Sequence, residues 1–178
     1  MLLTIQEIES QLNNKFSPFQ GEMDDLILRK RKKTVDNVGT LEKKLNIKLN
    51  KDFLSFISSY DLDNFSLGNI AFGSGSDYIE KLISINEGDD FGRWWQGNDR
   101  PDGIILIAIS DPYSILLNTK NNEIYAIMSE EQKHDKAPIS KDFESFVRGV
   151  GSLFLKKAQL QEVINSVGAV NQDFWHNI

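Results

Sequence analysis

The 178-residue chain contains no cysteine. Disulfide frameworks, thiolate metal sites, iron–sulfur clusters and cysteine nucleophiles are therefore excluded. Histidine is nearly as scarce, with only His134 and His176. A histidine-rich metal centre is impossible, and a Ser-His-Asp triad would have to draw on a polar loop or the tail. The longest apolar run, Ile104 to Ile109, falls far short of the roughly 20 residues a membrane helix needs. The start, Met1-Leu2-Leu3-Thr4, turns polar at Gln6, Glu7 and Glu9, without the basic and then apolar order of a signal peptide. A cytoplasmic protein is expected, in which the sequon Asn64-Phe65-Ser66 carries no glycan. Positive charge is not in surplus either: 20 Lys and Arg against 26 Asp and Glu leave a net charge of −6. That balance disfavours nucleic acid and anionic membranes as partners and suits a basic protein.

What is present is the composition of one folded domain, with 40% hydrophobic and 26% charged residues in a chain long enough for one sizeable core. Thr4 and Glu7 form a capping box ahead of Ile5, Ile8 and Leu12, which predicts a helix from Thr4 to about Lys15. Phe19 to Lys33 has no clear period and ends in the basic run Arg29-Lys30-Arg31-Lys32-Lys33. Helices are expected over Asp36 to Asn46 and, capped by Asn50, over Lys51 to Tyr60. Phe65-Ser66-Leu67 and Ile70-Ala71-Phe72 then read as strands about Gly68-Asn69. Tyr78 to Asn86 fits a strand or a helix, and Ile104 to Ile109 reads as a buried central strand. Tyr113 to Asn118 and Glu123 to Met128 form a hairpin across Thr119 to Asn122. Ser140 is expected to cap a helix from Lys141 to about Val147, followed by a last helix from about Ser152 to Val167. With no repeat or low-complexity segment, the order predicts a single α+β domain spanning 1–178: a central antiparallel, strongly twisted sheet flanked by N-terminal and C-terminal helices.

Three ordered stretches carry a family resemblance: Leu41 to Ile57, which leads from one helix into an aromatic-rich one; Ile105 to Tyr125, with Ser110-Asp111-Pro112-Tyr113 as an Asp-bearing turn between strands; and Ile139 to Val147, a closing Ser-and-Phe helix. Together they resemble the SUKH superfamily of Smi/Knr-type fungal cell-wall synthesis regulators and bacterial immunity proteins, over roughly Asp36 to Lys157. Asn50 stands where the family's usual proline does, and Asp61-Leu62 replace its Asn-Gly. The resemblance implies a non-enzymatic, protein-binding domain in a bacterium, without cofactor. It would be an immunity protein that neutralises a cognate toxin, such as a nuclease, or alternatively a regulatory or scaffold module. A monomer or weak homodimer is expected.

Searched residue by residue, the chain offers little catalysis. Gly73-Ser74-Gly75-Ser76-Asp77-Tyr78 begins like a dinucleotide loop, but Tyr78 stands where the third glycine belongs. Asp61-Leu62-Asp63-Asn64-Phe65 begins like a calcium loop, but Phe65 takes a ligand position; no metal is assigned. The run Arg29 to Lys33 reads as a solvated face before a phosphate grip. The most unusual passage is Asn86 to Gly103, where Trp94 and Trp95 stand together among acids, arginines and glycines. One tryptophan is expected to plug the core and the other to be exposed, as a binding hot spot would be. Asp89, Asp90, Phe91, Trp94 and Trp95 are the candidate partner-binding residues, with the acids steering association and the aromatics anchoring it. Asp111 and Tyr113 join them as residues of a turn that can point into a cleft, although an Asx-type turn explains Asp111 equally.

Overall fold

The computed structural model describes residues 1–87, 100–128 and 137–178. Thr4 caps the first helix, α1 (Ile5–Phe16), accepting from the Glu7 backbone, while the Glu7 carboxylate accepts from Thr4 N at 2.8 Å. Ile8, Leu12 and Phe16 form its buried face. Two 3₁₀ turns, Ser17–Phe19 and Asp24–Leu26, lead to β1 (Arg29–Lys30), which pairs with β2 (Tyr60–Asp61). The basic run is largely built into this junction. Lys30 Nζ lies 2.9 Å from Glu9, 2.9 Å from the Tyr60 hydroxyl and 4.2 Å above the Tyr60 ring. Arg31 donates to Ile57 O at 3.0 Å, at the C-terminal end of α3 (Lys51–Ser59), where free carbonyls favour a cation.

The helix α2 (Val38–Leu45) ends at Asn46 in the left-handed region, and α3 follows after a short loop. Glu42 closes that loop by accepting from Leu49 N at 2.9 Å and from Lys48 at 2.8 Å. Asn50 occupies the cap position of α3, but its side chain does not cap; its amide donates to Asn122 Oδ1 at 2.7 Å and ties the helix to the β6–β7 turn described below. The hairpin β3 (Ser66–Leu67) and β4 (Ile70–Ala71) turns through Gly68 at φ 64°. Tyr78–Asn86 is a helix, α4, with Asp77 capping it through Glu80 N at 2.9 Å. Strands β5 (Ile104–Ser110), β6 (Tyr113–Asn118) and β7 (Ile124–Met128) complete an antiparallel sheet ordered β3-β4-β5-β6-β7. The apolar run Ile104 to Ile109 is its central strand, as its composition predicts.

The C-terminal third differs from expectation. Asp142, not Ser140, caps the next helix, accepting from Ser145 N at 2.6 Å. That helix, α5 (Phe143–Phe154), runs straight through the residues that separate two helices in the sequence reading, and the break comes only before α6 (Leu160–Val167). Gly149 and Gly151, within this helix, let neighbours approach. A Cβ on Gly149 would meet Val167 at 2.8 Å and Trp175 at 2.9 Å, and one on Gly151 would meet Ile8 at 2.5 Å. The last helix, α7 (Asp173–Asn177), buries Phe174 and Trp175, whose indole N–H donates to Ile139 O at 2.8 Å. Residues before and after the resembling region thus share one core, from Leu2 to Trp175. The chain is an α+β domain.

Two measurements test this packing. Alanine suits a helix interior better than glycine by about 1 kcal/mol, but Gly149→Ala should destabilise the protein by about 1–3 kcal/mol through overpacking against rigid Val and Trp side chains, read as a lower urea midpoint at unchanged slope. Burial pushes the Glu42 carboxyl up, yet the Lys48 and Leu49 hydrogen bonds together hold it below the ordinary range. A depressed pKa contributes stability that is present above the unfolded value and lost as pH falls through the folded one. Between neutral pH and about pH 3, Glu42→Gln should therefore lose less of its urea midpoint than the parent protein does.

Candidate partner-binding surface

The sheet's central strand has an incomplete neighbour. β4 pairs with β5 only at Ala71–Ile109, so among the described residues no strand lies along the first half of that edge, and β5 bulges between Leu106 and Ala108. Helix α4 fills the gap with side chains. Buried Asn86 accepts from Leu106 N at 2.7 Å and donates to Leu106 O and Leu82 O, both at 2.9 Å. Tyr78 donates from its hydroxyl to Ile107 O, the bulge carbonyl, at 2.7 Å. Burial pushes the Tyr78 phenol well above its ordinary value, so it stays a donor. Lys81 donates to Phe72 O at 3.1 Å and is lowered by burial.

Between α2 and α4 runs a groove of about 520 Å³, lined by Asn37, Thr40 and Lys44 on one side and Glu80, Ser84 and Glu87 on the other, with Ile83 beneath. Lys44 lies 3.7 Å from Glu87. Glu87 and Arg100 are the described residues on either side of the Trp94-Trp95 passage. Arg100 is half-buried, which lowers its guanidinium against the opposing pull of Asp102. It donates to Ile104 O at 2.9 Å and to Leu45 O at 2.5 Å. Lys120 holds the neighbouring Asp102 carboxyl below the usual range by hydrogen bonding.

Asp89, Asp90, Phe91, Trp94 and Trp95 lie outside the described residues, as does His134. Asp111 is exposed in the two-residue turn between β5 and β6, at the opposite end of β5 from Arg100. Seven residues of strand separate those ends by roughly 20 Å. Tyr113 does not open into a cleft; it is buried, edge-on to Phe174 at 5.4 Å, with its hydroxyl accepting from Asn177 at 3.2 Å. His176 is exposed on α7. The glycine-rich loop before α4 offers no phosphate seat. Asp77 takes Glu80 N, and Asp63 takes Tyr78 N at 3.0 Å, so carboxylates already occupy the helix start. The calcium-like Asp61 and Asp63 serve as turn acceptors instead, Asp61 accepting from Asp63 N at 3.0 Å. Among the described residues no helix is long and apolar enough to cross a membrane. The residues that sequence reasoning passed over are Asn86 and Arg100, polar side chains inside a passage singled out for its tryptophans.

Residues 34–149, more than half of the chain, match the model of the SMI1 / KNR4 family (SUKH-1). No curated protein matches the chain.

The Asn86 clamp is testable on the isolated protein. Asn86→Ala leaves the Leu106 N–H and C=O unpaired in a buried setting, at about 1–3 kcal/mol for each. Denaturant unfolding should show a loss on the order of 2–5 kcal/mol; a change under about 0.5 kcal/mol, typical of a surface site, would remove Asn86 as the substitute for a strand partner.

Proposed function

The chain belongs to the SMI1/KNR4 family (SUKH-1), and from that premise we propose that it is a protein-binding domain acting as an immunity protein. It neutralises a cognate toxin by covering the toxin's active surface directly, with no chemistry of its own. The partner's contact face is basic, as the substrate groove of a nuclease is. The observation that carries this reading is charge joined to sequence. A chain of net charge −6 concentrates Asp89, Asp90, Phe91, Trp94 and Trp95 in one passage, which gives acids to steer encounter and aromatics to hold it.

Among the described residues, the groove between α2 and α4, bordered by Glu80 and Glu87, offers further acceptors for a basic side chain. Asp111, exposed at the far end of β5, is a separate and lesser candidate. Tyr113 is buried against Phe174 of the C-terminal helix and is not proposed as a contact.

The test is capture of the partner from native cells at low salt, followed by affinity measurements on it. The charge reversal Asp89→Lys plus Asp90→Lys should slow association by about tenfold or more and flatten its salt dependence. Of Trp94→Ala and Trp95→Ala, at least one should weaken binding by about thirtyfold or more without lowering the melting temperature. Unchanged affinity in all three variants would exclude this surface. A set of substoichiometric housekeeping proteins in place of one toxin would favour a regulatory module.

A further inference from the structure

The segment between α1 and β1 leaves apolar side chains in water. Phe19 is 49% and Met23 38% exposed, and the Met23 N–H donates to Phe19 O at 3.0 Å, which sets the two residues one turn apart. A single exposed apolar side chain is ordinary, but a neighbouring pair beside an open apolar groove marks a contact surface. Such a groove, of about 370 Å³, lies between the β3–β4 hairpin and the C-terminal helices, walled by Leu67, Val150, Leu153, Phe154, Leu160 and Trp175. The segment reaches it at two walls. Phe16, three residues before Phe19, stacks on Phe154 with ring centroids 5.9 Å apart, and the 3₁₀ turn Asp24–Leu26 packs on β3, the strand that ends in Leu67. Phe19 itself does not line the groove, so its ring stands beside the recess without filling it.

Charge is divided between the two features. Glu22, exposed, stands between Phe19 and Met23. Lys15 lies 5.2 Å from the ring centres of both Phe16 and Phe154, and exposed Lys156 and Lys157 follow the end of α5 that supplies Phe154. The apolar pair is thus accompanied by a carboxylate and the groove by ammonium groups, which is the complementarity an interface uses to fix its register. Because protrusion and recess are neighbours, a two-fold axis between them lets each of two copies insert its pair into the other's groove and closes the assembly at two. We propose that this face is a homodimer contact, with Phe19 and Met23 of one copy seated in the groove between the hairpin and the C-terminal helices of a second. The contact is independent of the immunity reading. With two exposed apolar side chains offered by each copy, it belongs to the small, reversible class of interfaces.

Sedimentation equilibrium of the full chain alone, from about 1 μM to about 1 mM, tests it. Reversible monomer–dimer association is expected within that range, weakening as salt is raised because the charges around the contact are exposed. Phe19→Asp should weaken association by about thirtyfold or more, and Phe19→Ala, the gentler change, should shift it in the same direction. Asn69→Trp, which sets an indole on the exposed hairpin wall of the groove, should act from the other side. Both positions are exposed, so the variants should melt with the parent protein. The decisive sample is a mixture of Phe19→Asp and Asn69→Trp. The first keeps its groove and the second keeps its Phe19, so the mixture regains one of the two contacts and should dimerise more tightly than either variant alone. A monomer at every concentration, association unmoved by either substitution, growth beyond two copies, or a mixture no tighter than its components would overturn the proposal.

Discussion

A strand edge cannot be left bare inside a protein, and that requirement organises this fold. β4 meets β5 at one residue pair only, so the backbone groups of Leu106 and Ile107 need partners from elsewhere. α4 supplies them through Asn86 and Tyr78, two side chains eight residues apart on one helix. Because these bonds are buried, they are costly to break and specific about register. They fix α4 to the sheet, α4 packs on α2, and between those helices lies the groove that Glu80 and Glu87 border.

The charged residues divide by the same logic. A basic run beside a negatively charged chain invites thoughts of phosphate, yet Arg29, Lys30 and Arg31 are committed to Asp24, to Glu9 with Tyr60, and to the end of α3. Two arginines, Arg31 and Arg100, do the same work at two helix ends, meeting carbonyls that the helices cannot satisfy themselves. These cations are therefore drawn into structure, and the basic run is no free phosphate grip.

Helices announced by local chemistry were legible in the sequence. The Thr4–Glu7 capping box and the spacing of Ile8 and Leu12 predict α1 within a residue at either end, because both ends are set by neighbours three or four positions away. The central place of Ile104 to Ile109 follows from burial on both faces. Local reasoning failed where distant contacts decide: the expected break between about Val147 and Ser152 is absent from Phe143–Phe154, where Val167, Trp175 and Ile8, far off in sequence, press on Gly149 and Gly151. Asn50 reads as a cap, but Asn122 claims its amide.

The sequence alone determined the fold class, the family and the exclusion of thiol chemistry, since these depend on composition, periodicity and the order of short motifs. It also marked the acidic, aromatic passage, because two tryptophans among glycines and acids are unusual wherever they fall. Only the tertiary structure decided what the polar residues Asn86 and Arg100 bind. Asn86 and Arg100 carry no local signal, and their roles exist only once Leu106 and Leu45, 20 and 55 positions away, are brought within hydrogen-bonding distance. Hydrogen bonds of that kind are short-range and directional, so no pattern along the chain encodes them; the packing of α2, α4 and β5 does.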